Sequence, residues 1–239
     1  MALYRDEGIV LRTHKLGESD RIISIFTKQR GKVRAVAKGV RKTKSRFGSR
    51  LEPPSHVAAL FYEGRGELHI VTQAESIDHF RPIRDDLDRL TRAVSMLEAV
   101  DQLGLEGEPN PALYQMLLGA LRALSGHSGP LVVPAFFLKV LALEGFRPVI
   151  DRCVECGVED DLTSFDLESG GTRCPEHRRG PAISAGALLL LRDILGGRLG
   201  SALNVEASEV TVEVDHLSVR SMEHHLERRL RSIAVLDHG

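Results

Sequence analysis

The hydrophobic period of this 239-residue chain changes near Pro82, and that change limits its possible folds more than any bulk property does. Before it, short runs rich in Val, Ile, Phe and Thr alternate in part with polar residues: Glu7–Thr13, Arg21–Thr27, Lys32–Ala37, His56–Tyr62 and Glu67–Ile77. Gly31 separates the second run from the third, and EGRG at 63–66 is a hairpin signal between the last two. Five strands in about eighty residues bury their apolar faces by closing on themselves. A five-stranded OB-fold barrel is the leading expectation, and on strand count alone an SH3-like barrel is nearly as good.

After Pro82 apolar residues step by three and four. Ile83, Leu87, Leu90, Val94 and Leu97 mark one face of a helix ending near Gly104. Asn110 caps a second helix with Pro111 at its first turn and Leu113, Leu117, Leu121 and Leu124 inward. GHSG at 126–129 reads as a loop, and a third helix over 132–144 stops at Gly145. Ser184 caps a fourth that runs to Gly196. A last one begins near His216 and carries Val219, Met222, Leu226, Leu230 and Ile233 inward. EVTVEV, within 200–215, alternates like a strand without a partner and stays unassigned. The fold class is therefore α+β and multidomain: barrel first, then helices.

The three cysteines all lie between the third and fourth helices. Cys153 and Cys156 are spaced C-x2-C ahead of Gly157, and Cys174 opens a C-x2-H with His177. Two tight pairs around a loop match a zinc ribbon, and thiolates with an imidazole suit a tetrahedral d10 ion. Four filled positions make such a Zn2+ structural rather than catalytic. A thioredoxin-like redox role would require a strand-to-helix junction that this context lacks. The odd cysteine count also argues against a disulfide framework.

The net charge of −1 conceals a lopsided distribution. Between Arg21 and Arg50 there are eleven Lys or Arg residues and no Asp or Glu. Removing those eleven leaves 21 basic against 33 acidic residues, a balance of −12. Eleven like charges in one stretch repel one another, which is most readily tolerated where counter-charges such as phosphates visit. Alternation puts Lys32, Arg34 and, at the end of the run, Lys38 on one side of their strand, continuous with the basic loop. Phe47, Phe26 and Phe61 are candidates for base stacking, the last two being better placed in the core. Aromatic residues are only 5% of the chain, which favours phosphate contacts with weak sequence preference.

Signals for catalysis are missing. No H-x-E precedes a P-C-x-x-C, and neither a P-loop nor a G-x-S-x-G elbow occurs. Asp85-Asp86 and Glu159-Asp160-Asp161 read as a helix start and a solvated loop, and adjacent His224 and His225 point apart on a helix. The chain is not expected to be an enzyme. No apolar run reaches membrane-spanning length and no secretory signal opens the chain, so a cytoplasmic location is expected, with no membrane or small-molecule partner.

The stretch EGIVLRTHKLGESDRIISIFTKQRGKVRAVAKGVRKTKSRFGSRLEP, with GELHIVTQAE, LALEGFRP, the two metal-type pairs and the ending HHLERRLRSIAVL, resembles the RecO family of bacterial recombination mediators. GESD with FTKQRGK, AKGVRK with its following SR, and EGFRP are the most specific pieces. The resemblance implies an OB-fold domain at 1–81, a helical domain at 82–150 and 181–239, and a zinc-binding insertion at 151–180. It implies binding of single- and double-stranded DNA, annealing of complementary strands, contact with the single-strand binding protein and, with RecR, loading of RecA during repair at the nucleoid. Lys38, Arg41, Lys42, Lys44 and Arg46 fall in the family's basic motif as DNA contacts, followed by Arg30, Lys32, Arg34 and Arg50. His177 stands where relatives that keep the metal motif usually have cysteine. Two other readings are a zinc-ribbon adaptor and an RNA-binding barrel, neither of which anneals strands.

Overall fold

A computed structural model describes residues 2–64, 66–126 and 129–232. The chain forms two compact units, residues 1–126 with 230–239, and residues 127–229.

In the first unit the strands β1 (Leu3–Leu16), β2 (Asp20–Thr27), β3 (Gly31–Ala37), β4 (His56–Tyr62) and β5 (His69–Asp78) close a barrel in the order β1-β2-β3-β5-β4. β1 pairs antiparallel with both β2 and β4, while β3 and β5 are parallel. This is the OB-fold arrangement rather than an SH3-like one. β3 alternates strictly between buried and half-buried residues, as one wet and one packed face require. Ile23, Ile25, Val33, Val57, Phe61 and Val71 fill the interior, and each such side chain contributes about 1.5–3 kcal/mol of transfer free energy. Phe47 and Leu51, from the long β3–β4 connection, are each only 1% exposed and belong to the same core. Phe47 is thus a plug and not a base-stacking residue. Phe26 and Phe61 are buried as well.

The helical stripe expected after Pro82 is broken. A short α1 (Arg81–Arg84) buries Ile83, and Asp86 caps a new helix, α2 (Leu87–Leu103), by accepting the N–H of Arg89. The restart shifts the phase, so Leu87 is 80% exposed and the inward face is Ala93, Met96, Leu97 and Val100. α3 (Pro111–Gly126) starts at Asn110, whose Oδ1 accepts the N–H of Leu113 at 3.0 Å, and buries the four expected leucines.

The second unit holds α4 (Val132–Leu143), α5 (Ala185–Leu195), the short α6 (Leu199–Leu203) and α7 (Glu209–His225), with a two-stranded hairpin of β6 (Ser164–Asp166) and β7 (Gly171–Arg173). α4 ends where Gly145 takes a φ of +89°, and Ser184 caps α5 through the N–H of Ala187. The EVTVEV stretch is helical. Ser208 and Thr211 form a reciprocal capping box that starts α7 at Glu209, well before His216. Val214 is buried, Val219 and Leu226 are half-buried, and Ile233 lies outside the described residues. Arg65 of the EGRG turn and residues 127–128 of the GHSG loop lie outside them too. No helix among the described residues is long and apolar enough to cross a membrane.

Candidate nucleic-acid interface and metal centre

The basic loop is held by its backbone. Asp20, closing the GESD turn, accepts the N–H of Gly39 at 2.7 Å and the Ser19 hydroxyl at 3.0 Å. The carbonyls of Ser19 and Glu18 accept the N–H and a guanidinium N–H of Arg41. The Gly39 N–H, the Ser19 hydroxyl and the charges of Lys38 and Lys42 hold the Asp20 carboxyl below the usual carboxylate range. Further along, Phe47 and Leu51 anchor the loop in the barrel, and Arg50 donates to the carbonyls of Arg46 and Phe47. From α1, Arg84 donates to the carbonyl of Glu52 at 2.5 Å and to the Ser55 hydroxyl at 2.7 Å.

Lys38, Arg41, Lys42, Lys44 and Arg46 are exposed, and none forms an ion pair with a carboxylate among the described residues. The strand cations differ. Lys32 and Arg34 share a face as the alternation implies, but the end of α2 covers it. Lys32 Nζ donates to the Asp101 carbonyl at 2.6 Å, and Arg34 lies 3.8 Å from a Glu106 carboxylate oxygen. Arg21 pairs with Glu52. Residues 105–108 run beside the start of β3, where a Cβ on Gly31 would stand 2.0 Å from the Glu108 carbonyl oxygen. Asp101, missed in the sequence because its partners lie far away along the chain, ties α2 to the barrel. It accepts from Ser24 at 2.7 Å and from Arg12 at 2.9 Å.

In the second unit Cys153, Cys156, Cys174 and His177 converge, with ligand atoms all within 4.8 Å of one another. The Cys156 and Cys174 sulfurs are 3.8 Å apart, and Cys174 Sγ is 3.2 Å from His177 Nδ1. A tetrahedron with metal–sulfur bonds of about 2.3 Å has edges of about 3.8 Å, so the donor set fits a four-coordinate ion. Gly157, at φ +77°, turns the first knuckle, and its N–H donates to the Cys153 carbonyl at 2.9 Å. Burial raises the Cys153 thiol, but N–H groups of Cys156, Cys174 and Glu155 outweigh it and hold the thiol at about 6, favouring the ligating thiolate. The Val158 N–H lowers Cys156, yet burial and the neighbouring Cys153 and Cys174 sulfurs leave it raised. Between the pairs, buried Arg173 bridges Asp166 and Glu155, each at 2.9 Å.

Residues 1–80 match the family model described as recombination protein O N terminal, and residues 84–234 the one described as recombination protein O C terminal. The chain belongs to the recombination protein O family. It is 44% identical over 243 residues to the DNA repair protein RecO of Frankia casuarinae, with 99% of both chains covered. It is 42% identical over 248 residues to that of Streptomyces griseus and 43% over 249 to that of Streptomyces coelicolor, in each case across 99% of this chain and 100% of the relative. In this RecO-family chain the GESD and AKGVRK motifs touch each other, because Asp20 and Gly39 are the bonded pair. FTKQRGK is the β2–β3 turn, braced by Asp6, whose carboxylate accepts the N–H groups of Glu7 and Gln29.

Proposed function

We propose that this protein is a recombination mediator that binds single- and double-stranded DNA on the basic loop, anneals complementary strands and, with RecR, helps load RecA on DNA coated with single-strand binding protein. The observation that carries the reading is the set of five loop cations, Lys38, Arg41, Lys42, Lys44 and Arg46, exposed without carboxylate partners on an anchored backbone. Annealing brings two polyanions together. A positive surface lowers that repulsion, and contacts confined to phosphate leave the bases free to pair. Arg30, Lys32, Arg34 and Arg50 extend the surface, with Lys32 and Arg34 tempered by α2. No covalent bond changes, so the protein is a mediator and not an enzyme. Its setting is the cytoplasm, at the nucleoid.

In the same reading residues 1–81 are the DNA-binding part, 82–150 with 181–239 the helical part, and 151–180 an insertion stapled by one structural Zn2+ on Cys153, Cys156, Cys174 and His177. Soft thiolates and an imidazole in a closed set favour zinc over a hard cation.

The test is the salt dependence of binding. With roughly five phosphates neutralised, log affinity for single strands falls with log salt at a slope of about −3.5. Changing Arg41, Lys42, Lys44 and Arg46 together to Gln flattens that slope, weakens binding alike across sequences and slows annealing of naked oligonucleotides. An unchanged slope refutes the assignment. A pure adaptor would not accelerate annealing at all.

A further inference from the structure

The Tyr4 ring contacts both a buried phenylalanine of the barrel and an exposed arginine. Phe61 is 1% exposed inside the barrel. The Tyr4 ring lies on it with centroids 5.2 Å apart and planes 20° from parallel. The guanidinium carbon of Arg30 stands 4.0 Å over the centroid of Tyr4. Arg30 itself is exposed and forms no ion pair with a carboxylate among the described residues.

The Tyr4 ring is braced. The Tyr4 hydroxyl lies 2.9 Å from His69 Nδ1, across the barrel sheet. Burial, only partly opposed by the Arg30 charge, pushes Tyr4 up to about 12, so the phenol stays neutral and in place. Arg30 projects from a turn whose backbone is fixed at several points: its own N–H donates to the Thr27 hydroxyl at 3.2 Å, that hydroxyl donates to the Gly31 carbonyl at 2.9 Å, and the Gln29 N–H donates to Asp6 at 3.2 Å. The guanidinium therefore lies over an aromatic ring on a fixed turn, on a residue that remains exposed to solvent.

A guanidinium in that setting is a stacking surface. Arginine planes accept unpaired bases much as aromatic rings do, and every base offers a π-face. We propose that Arg30, seated on Tyr4, is a base-stacking platform for one nucleobase of single-stranded DNA, a contact that distinguishes unpaired bases from bare backbone. The proposal rests on the DNA-binding reading of the basic loop, and it gives Arg30 a role that the phosphate-contacting lysines do not have.

The experiment compares an oligothymidylate strand with an abasic strand of the same length, bound to the full chain at fixed salt. The wild type binds the thymidylate strand more tightly. Arg30→Lys, which keeps the charge but loses the plane, lowers thymidylate affinity about tenfold, leaves abasic affinity and the salt slope unchanged, and so removes most of the preference. Tyr4→Leu, with its folding checked by circular dichroism, has the same effect because the guanidinium loses its seat. The proposal is overturned if Arg30→Lys weakens both strands equally, as an ordinary phosphate contact would, or changes neither. If, in addition, the fourfold loop variant binds like the wild type, the DNA-interface reading falls as well. A loop variant that loses binding while Arg30→Lys does not sinks the platform alone.

Discussion

Asp20 accepts the backbone N–H of Gly39 at 2.7 Å, so an acidic side chain orders the most basic loop of the chain. Charge and anchoring act here in opposite senses on DNA. Removing the carboxylate takes away a negative charge near Lys38 and Lys42, which by itself would strengthen phosphate binding. It also frees the loop, which must then be ordered at the moment of binding. Anchoring is expected to dominate. Asp20→Ala weakens single-strand binding roughly fivefold, while Asp20→Asn, which keeps an acceptor oxygen, binds at least as well as the wild type. Hydrogen exchange of residues 38–47 checks the cause, rising in the Ala variant only. Because the Asp20 carboxyl is held below its ordinary value, the charged acceptor is present at neutral pH, and only in acid, as pH falls through that lowered value, is it replaced by a weaker neutral one.

Arg84 secures the other end of the loop. Its guanidinium serves the Glu52 carbonyl and the Ser55 hydroxyl, with longer contacts of 3.4 Å to the Pro54 and Ser49 carbonyls. Arg84→Met keeps the stem and leaves those acceptors without their donor, a loss of about 2 kcal/mol. Urea denaturation followed by barrel signals measures it. Exchange at 49–55 rises, and the metal content of the second unit does not change.

These anchors explain which parts of the molecule were legible in the sequence. Strand positions were readable because β3 alternates with period two between Gly31 and Ala37. The ends of β1 were not, since Leu3, Arg5 and His14–Leu16 carry exposed side chains that look like loop yet pair with β4 and β2. A single capping carboxylate, Asp86, reset the phase of α2 and turned Leu87 and Val94 outward. In EVTVEV the valines at 212 and 214 suggest alternation, but the Ser208–Thr211 capping box commits the segment to helix before that pattern counts. The cysteine pairs were legible because local spacing alone defines a metal knuckle. Pairing of Arg34 with Glu106 and of Lys32 with the Asp101 carbonyl was not, since it depends on residues about seventy positions away.

His56 supplies a pH dependence. It is 3% exposed, its Nε2 lies 2.9 Å from the Tyr114 hydroxyl, and its Nδ1 has no hydrogen-bond partner among the described residues. Burial lowers the imidazole below its ordinary value; Arg122 and Lys28 act in the same sense, and Glu7 and Asp78 oppose them. The unfolded chain, with an ordinary value of about 6.5, therefore takes up the proton first as pH falls. His56 contributes its full stability above about pH 6.5 and loses it progressively below, down through the lowered folded value. Urea midpoints at about pH 8 and about pH 5.5 measure the effect. His56→Gln shrinks the difference between them, and costs about 1–3 kcal/mol at the higher pH if the Tyr114 hydroxyl loses its partner.

Metal removal tests the second unit by itself. Cys153 and Cys174 are 1% and 5% exposed and share a core with Phe165, Leu162 and Ile183, so the segment has apolar packing as well as ligands. Isolated fingers owe roughly 10–16 kcal/mol to their metal and unfold without it. Here that packing and the Arg173–Asp166–Glu155 bridge make the loss smaller, and chelation yields a loosened rather than an unfolded segment. Elemental analysis of the purified protein gives one zinc per chain. Cys174→Ser and His177→Ala lose it, whereas His177→Cys retains it, since a fourth thiolate also completes a closed tetrahedral set. Hydrogen exchange after chelation rises in 151–183 and stays unchanged in the barrel, and strand annealing persists. A full zinc content in Cys174→Ser would refute the ligand assignment, and loss of barrel protection on chelation would refute the confinement of the metal's effect to its own unit.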